Sequence, residues 1–427
     1  MTPKETAMLR RLTLAALALC AVHACCEEGA LIDAMDAVSF TAPTDGDKKV
    51  KGAVELVDGK VGKALKFTFE DNCLNVNATP INTFKATPEW DNAAGISFWL
   101  KGDGSDHLGS FQFVYNWDYT TRYTVTFPID STEWKKVVIP WREMIPSLSR
   151  GEIKPLDPKT GNLPSKLALV GFGKWWFWKD YAGHSYTIDD VRLEAKIELD
   201  TTDYTPKGNP LARVQQKLKE KKPLTIVTMG DSLSAPEHWA NKEVIWHGLL
   251  TKMIKEKYGS DTKIVNPAIG GTELLQGLII IPRWVKQAPE PDLVVIFYGG
   301  NDRAGGVTPE KFLEIQKDAV ERVRRATKGK ADVMIMPTAP ALAKADPPEP
   351  TAWELTRPIA EACRKAAAAK NAGVADVYAA FDAVPKDGRE KLFANLPGTT
   401  TCEGCHLGAF GHETVAKTVL AAMEGGK

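Results

Sequence analysis

Four short segments in the second half of this 427-residue chain gather residue types that could transfer an acyl group. The first is Gly230-Asp231-Ser232-Leu233-Ser234, directly after an apolar run. A serine at such a turn can expose its hydroxyl as a nucleophile and aim its own backbone N–H at a developing oxyanion. The second, Asn266-Pro267-Ala268-Ile269-Gly270-Gly271-Thr272, has glycines that let the backbone come close to a substrate. The third, Gly299-Gly300-Asn301-Asp302, offers a carboxamide as a further oxyanion donor. The fourth, Glu403-Gly404-Cys405-His406, sets an acid three residues before a histidine. Taken singly, each segment also suits a plain turn, with Ser232 as a helix cap. His412 reads as a surface residue of the last helix. His238 and Arg303 follow the first and third segments closely enough to touch a substrate, and otherwise read as surface polar residues.

For these turns to meet, the elements around them must bring them to one edge. The sequence from 224 onward alternates strand and helix. Apolar runs at 224–229, 263–266, 293–298 and 332–336 read as strands, and 244–258, 309–327, 352–369 and 410–423 as helices. Leu293-Val294-Val295-Ile296-Phe297 has no polar face, as expected of a strand in a parallel sheet covered by helices on both sides. In open sheets of this kind ligands gather at the carboxyl ends of the strands, which is where three of the four segments fall.

In order and position, the four segments resemble the signature blocks of the SGNH hydrolases, also called GDSL esterases, over roughly 224–423. The resemblance implies a three-layer α/β/α, flavodoxin-like domain. It makes Ser232 the nucleophile, with the Ser232 backbone, Gly271 and Asn301 as the oxyanion hole. His406 would be the general base, and no metal or organic cofactor is required. Asp231 is then a structural member of its motif. The family carries Asp three residues before the histidine, and this chain carries Glu403, one methylene longer. Either Glu403 holds the imidazole in its tautomer, or a backbone carbonyl does so in a Ser-His dyad. Cys402-Glu403-Gly404-Cys405-His406 also has the spacing of c-type haem attachment, but a haem ligand at His406 would remove the base. A Cys402–Cys405 disulfide or two free thiols are the expected states.

The first half reads differently. Between about 30 and 199 the pattern is short alternating segments broken by turn residues, such as Ala64 to Phe69 and Tyr123 to Phe127, which is the signature of an all-β sandwich. With Gly95-Ile96-Ser97-Phe98-Trp99-Leu100-Lys101-Gly102, then Trp134 to Pro140 and the closing Tyr186 to Leu193, it resembles the galactose-binding-like jelly rolls of carbohydrate-binding modules. Residues 200–223 read as a linker with a charged helix, and 224–427 as the hydrolase domain. Eight of the twelve tryptophans lie in the first 200 residues. Aromatic rings stack on sugar faces, which makes Trp117, Tyr119, Trp175, Trp176 and Trp178, where strands give way to loops, candidate carbohydrate contacts. Packing against the hydrolase half is the competing role for the same rings.

Equal numbers of basic and acidic residues, 54 each, argue against a nucleic-acid partner, which needs a basic face. Residues 1–24 read as a signal peptide, with Lys4, Arg10 and Arg11 ahead of an apolar run too short to span a bilayer. Cleavage after Ala24 is expected, and Cys25 makes a lipid anchor the alternative. The combined expectation is an exported, multidomain esterase that removes acyl groups, acetyl above all, from a carbohydrate. A lipid or aryl esterase of the same fold and a non-catalytic carbohydrate-binding protein are the alternatives.

Overall fold

The structure, a computed structural model, describes residues 29–149, 154–342, 351–394 and 404–426. The proposed signal peptide, Cys25, Cys402 and Glu403 lie outside the described residues.

The first half is built of antiparallel strands: β1 (Leu31–Asp33), β2 (Gly52–Asp58), β3 (Lys63–Phe69), β4 (Val76–Ala78), β5 (Gly95–Gly102), β6 (Leu108–Tyr115), β7 (Asp118–Pro128), β8 (Lys135–Pro140), β9 (Ile145–Ser149), β10 (Leu167–Lys174) and β11 (His184–Glu194). They form two sheets, one ordered β2-β3-β11-β5-β8 with β1 added on β11, the other β4-β10-β6-β7-β9. Alternate residues of each strand point between the sheets. Phe67, Phe98 and Ile188 of one sheet meet Phe111, Phe127 and Phe172 of the other in a shared aromatic core. The rings interlock edge to face, as with Phe98 and Phe127, whose centroids are 5.2 Å apart at 68°.

The second half is a parallel sheet ordered β13-β12-β14-β15-β16, where β12 is Leu224–Gly230, β13 Thr262–Val265, β14 Leu293–Phe297, β15 Asp332–Ile335 and β16 Gly373–Val374. The helices are α1 (Ala212–Lys219), α2 (Trp246–Tyr258), α3 (Leu274–Ile279), α4 (Ile281–Gln287), α5 (Gly300–Ala304), α6 (Pro309–Ala326), α7 (Ala352–Lys370), α8 (Val377–Asp382) and α9 (Ala409–Met423). Alternate strand residues feed two cores. Val227, Val294 and Val333 pack with α3, α4, α6 and α7. Ile226, Val295 and Met334 pack with α1, α2, α8 and α9 on the other face. This two-sided burial is why the strands carry no polar alternation. Among the described residues no helix is long and apolar enough to cross a membrane.

The two halves meet along a seam whose centre is a buried apolar cluster. Leu108, Ile145, Trp175, Phe177 and Trp178 from the sandwich belong to the same core as Leu275, Ile279 and Trp284 of the second half. Around them, Arg322 of α6 reaches Glu143 at 2.9 Å and donates to the Arg142 carbonyl at 2.6 Å. The Thr126 hydroxyl donates to the Ile279 carbonyl at 2.8 Å.

Candidate active site at the carboxyl edge of the parallel sheet

The turn after β12 is folded by Asp231. Its carboxylate accepts the Leu233 N–H at 2.9 Å, and its carbonyl accepts those of Ser234 and Ala235 at 3.0 and 2.9 Å. Asn241 fixes the same turn from beyond by donating to the carbonyls of Ser232 and Ala235 at 2.8 and 2.7 Å. Asp231 is buried, and burial pushes its carboxyl up to about 7. Its hydrogen bonds are those of a turn former, as the sequence suggested.

Two further turns close on this one. Ile269 N–H donates to the Gly230 carbonyl at 3.2 Å, which brings the glycine pair after β13 beside the serine. Gly271 has φ of 80°, in the left-handed region that favours glycine. After β14, Gly299 (φ 134°) starts the short helix α5 and delivers Asn301. The Asn301 amide donates to the Thr272 carbonyl at 3.0 Å and, over a longer 3.4 Å, to Asp231 Oδ2. One side chain thus ties all three strand-end turns together.

His406 arrives from the stretch before α9. Its carbonyl accepts the Ala394 N–H at 2.9 Å, and Gly404, at φ 64°, accepts the Leu342 N–H at 2.8 Å. So held, His406 Nε2 stands 3.2 Å from Ser232 Oγ. Nδ1 lies 3.4 Å from Sγ of Cys405, which is disulfide-bonded. With Nε2 accepting the serine hydroxyl proton, Nδ1 carries the ring proton. Burial and the neighbouring His238 pull the His406 imidazole down to about 4, which keeps it in the neutral form that a base requires.

The structure revises two histidine readings. His238 is not a detached surface residue: its ring stacks on His406 with centroids 4.2 Å apart. His412 is not on the surface of α9 but buried, and burial lowers it to about 4. Arg303 is half-buried on α5, and burial lowers its guanidinium below the ordinary arginine value. Glu403, expected as the acid, lies outside the described residues.

The aromatic candidates separate into two groups. Trp117, Tyr119 and Trp176 are 53%, 57% and 48% exposed. Trp175 and Trp178 are 3% and 0% exposed and cannot present a face to a sugar; they are seam anchors. Anchoring has a consequence that the sequence reading missed. The turn Trp176–Trp178 ends at Lys179, whose backbone is left-handed (φ 47°) and whose ammonium reaches the second half of the chain. There Lys179 Nζ pairs with Glu237 at 3.3 Å. The one set of metal-type donors among the described residues joins Asp180, next to Lys179, with His107 before β6 and His184 at the start of β11. Arg283 sits 3.3 Å from Asp180, and the Lys174 ammonium shares the Ala182 carbonyl with His184, so the surroundings of those donors already hold two cations.

Comparison with known proteins agrees with this geometry for the second half. Residues 228–414 match the model of the GDSL-like Lipase/Acylhydrolase family. They form a GDSL-type hydrolase domain. The chain is similar to "Thioesterase 1/protease 1/lysophospholipase L1" of Escherichia coli K12, 32% identical over 102 residues, which is 24% of this chain and 46% of that protein. It is also similar to "Esterase TesA" of Pseudomonas aeruginosa, 30% identical over 112 residues, 26% of this chain and 53% of that protein. The chain thus spans about half the length of the curated relatives it matches. Among solved structures, a lipase/acylhydrolase from Enterococcus faecalis covers 47% of this chain and 96% of its own, at 22% identity and a TM-score of 0.39. An acetyl xylan esterase from Geobacillus stearothermophilus covers 48% and 98%, at 18% identity and a TM-score of 0.37.

Proposed function

We propose that the protein is a serine ester hydrolase working through an acyl-enzyme. The single observation that carries this is the 3.2 Å contact between Ser232 Oγ and His406 Nε2 at the carboxyl edge of the parallel sheet. Ser232 Oγ attacks the ester carbonyl carbon while its proton passes to His406 Nε2. The oxygen that becomes negative is received by the backbone N–H groups of Ser232 and Gly271 and by the Asn301 amide. Collapse breaks the bond to the alkoxy oxygen, which leaves with the proton held by His406. Water then repeats the sequence on the acyl-enzyme, freeing the acid and restoring Ser232. Glu403 is the residue we assign to orient His406. A Ser232→Ala protein should lose at least a thousandfold in kcat on 4-nitrophenyl acetate, and hydrolysis at the parental rate would overturn the assignment.

Within that class, an O-acyl carbohydrate, chiefly O-acetyl, is the substrate we favour, acted on by an exported protein whose first half is a carbohydrate-binding-like jelly roll. Support comes from the basic, then apolar, then small-residue pattern of positions 1–24 and from an antiparallel sandwich joined to the hydrolase half. A second reading, hydrolysis of longer acyl or thioester substrates, is favoured by the names of the curated relatives. Rates on acetyl against octanoyl esters separate the two: a steep fall with chain length supports the first, a rise the second.

A further inference from the structure

We propose that the sandwich completes the active site: a cleft on the seam, with Lys179 and Glu237 at its mouth, binds the sugar unit of the alcohol being released. This rests on the reading of the protein as a carbohydrate esterase and places the sugar within it. A β-carbon at Gly270 would stand 3.6 Å from Ser232 Cβ and 3.7 Å from Lys179 Nζ. Nucleophile and ammonium therefore flank the same point of the glycine turn, one from each half of the chain. Lys179 also lowers the affinity of His238 for protons, and His238 in turn stacks on the base. Beside this turn, against Pro267, Ala268 and Ile269, lies a cleft of about 330 Å³ on the seam, bordered also by Lys179, Tyr181, Glu237 and Gln287. That volume is at the lower end of the range of small-molecule sites, about 300–1,000 Å³.

The chemistry of the border is that of a polyol site. Sugar hydroxyls both donate and accept, so recognition needs both partners side by side. The Lys179 ammonium donates, the Glu237 carboxylate accepts, and the Gln287 amide does both. The ion pair is long at 3.3 Å, and its members are 39% and 48% exposed, so a hydroxyl can enter between them without breaking a buried contact. Tyr181 is half-exposed and presents a ring for a sugar face. Pro267, Ala268 and Ile269 give the cleft an apolar side that suits the C–H face of a sugar, whereas a purely apolar acyl chain would leave the Lys179, Glu237 and Gln287 groups unused. The occupant is therefore the alcohol side of the ester. Trp175 and Trp178 serve sugar binding only indirectly, by pinning the turn from which Lys179 projects.

The test compares the full-length parent with Lys179→Met and Glu237→Gln on two substrates, an acetylated xylo-oligosaccharide and 4-nitrophenyl acetate. The ratio of kcat/KM on the sugar ester to that on the aryl ester should fall at least tenfold in each variant, chiefly through KM. Both side chains are partly exposed, and equal thermal midpoints would show that the variants fold. A ratio within twofold of the parent in both would overturn the seam subsite. Ser232→Ala separates the two levels of the proposal. If it is inactive while the ratio does not move, only the subsite fails; if it stays active, the serine mechanism fails.

Discussion

Trp178→Ala tests whether the tryptophan cluster is an anchor or a sugar platform, because the two roles predict opposite outcomes. The ring is fully buried, lies edge-on to Trp175 with centroids 5.9 Å apart, and shares a core with Leu275, Ile279 and Trp284 of the other half. A buried indole removes roughly 200 Å² from water. At about 25 cal/mol per Å² that is an upper bound of about 5 kcal/mol. Truncation to alanine in well-packed cores costs about 3–5 kcal/mol. At about 2–4 °C per kcal/mol for a unit of this size, the melting midpoint should drop by roughly 6–20 °C. Thermal melts followed by fluorescence and calorimetry measure it directly. A Trp178→Phe protein, which keeps most of the apolar volume, should lose clearly less. Should Trp178→Ala melt within about 2 °C of the parent while losing affinity for an acetylated oligosaccharide, the seam described above would be wrong and the ring a ligand contact.

Two further outcomes follow from the site. The acid limb of kcat/KM on 4-nitrophenyl acetate should fall below the ordinary histidine value of about 6.5, since His406 is drawn down to about 4 and acts only when neutral. His238→Gln removes one of the influences that depress it, so the limb should move to higher pH; a limb at 6.5 or above that ignores the substitution refutes this assignment. Gly299→Ala places a β-carbon 3.0 Å from Ile359 and Thr338 at a φ of 134°. It should cost about 1–3 kcal/mol of stability and, by shifting Asn301, lower kcat more than it raises KM.

The parallel sheet and its turns were legible because the information is local. A strand such as Leu293–Phe297 is apolar on both faces wherever it sits, and the residues that follow it must then lie at the carboxyl edge. The longer helices, α1, α2, α6, α7 and α9, were placed to within a few residues because their apolar stripes repeat at 3.6 residues, whereas the short α3, α4, α5 and α8, of five to seven residues, are too brief to show that period and went unread. What stayed hidden depended on partners distant in sequence. Nothing in Trp175-Trp176-Phe177-Trp178 says which rings face inward; that is decided by Leu275, Ile279 and Trp284. The same applies to His238, whose meaning comes from the His406 ring above it, and to His412, buried by the packing of α9. Lys179 carried no signal at all, because a lysine after an aromatic run is an ordinary surface residue until its turn is fixed by the other half.

The shared core also has a consequence in time. Ribosomal synthesis delivers the sandwich first, and the surface formed by Leu108, Ile145, Trp175, Phe177 and Trp178 meets water until α3 and α4 emerge, roughly 100 residues later. At 5–20 residues per second that interval is about 5–20 s. An apolar patch exposed for so long at the end of a growing chain is a target for holdase chaperones and for association between nascent copies. Helix α1, within the stretch from Asp200 to Pro223, packs Val214 and Leu218 into the core of the second half, so the sandwich surface stays unfinished until that half arrives.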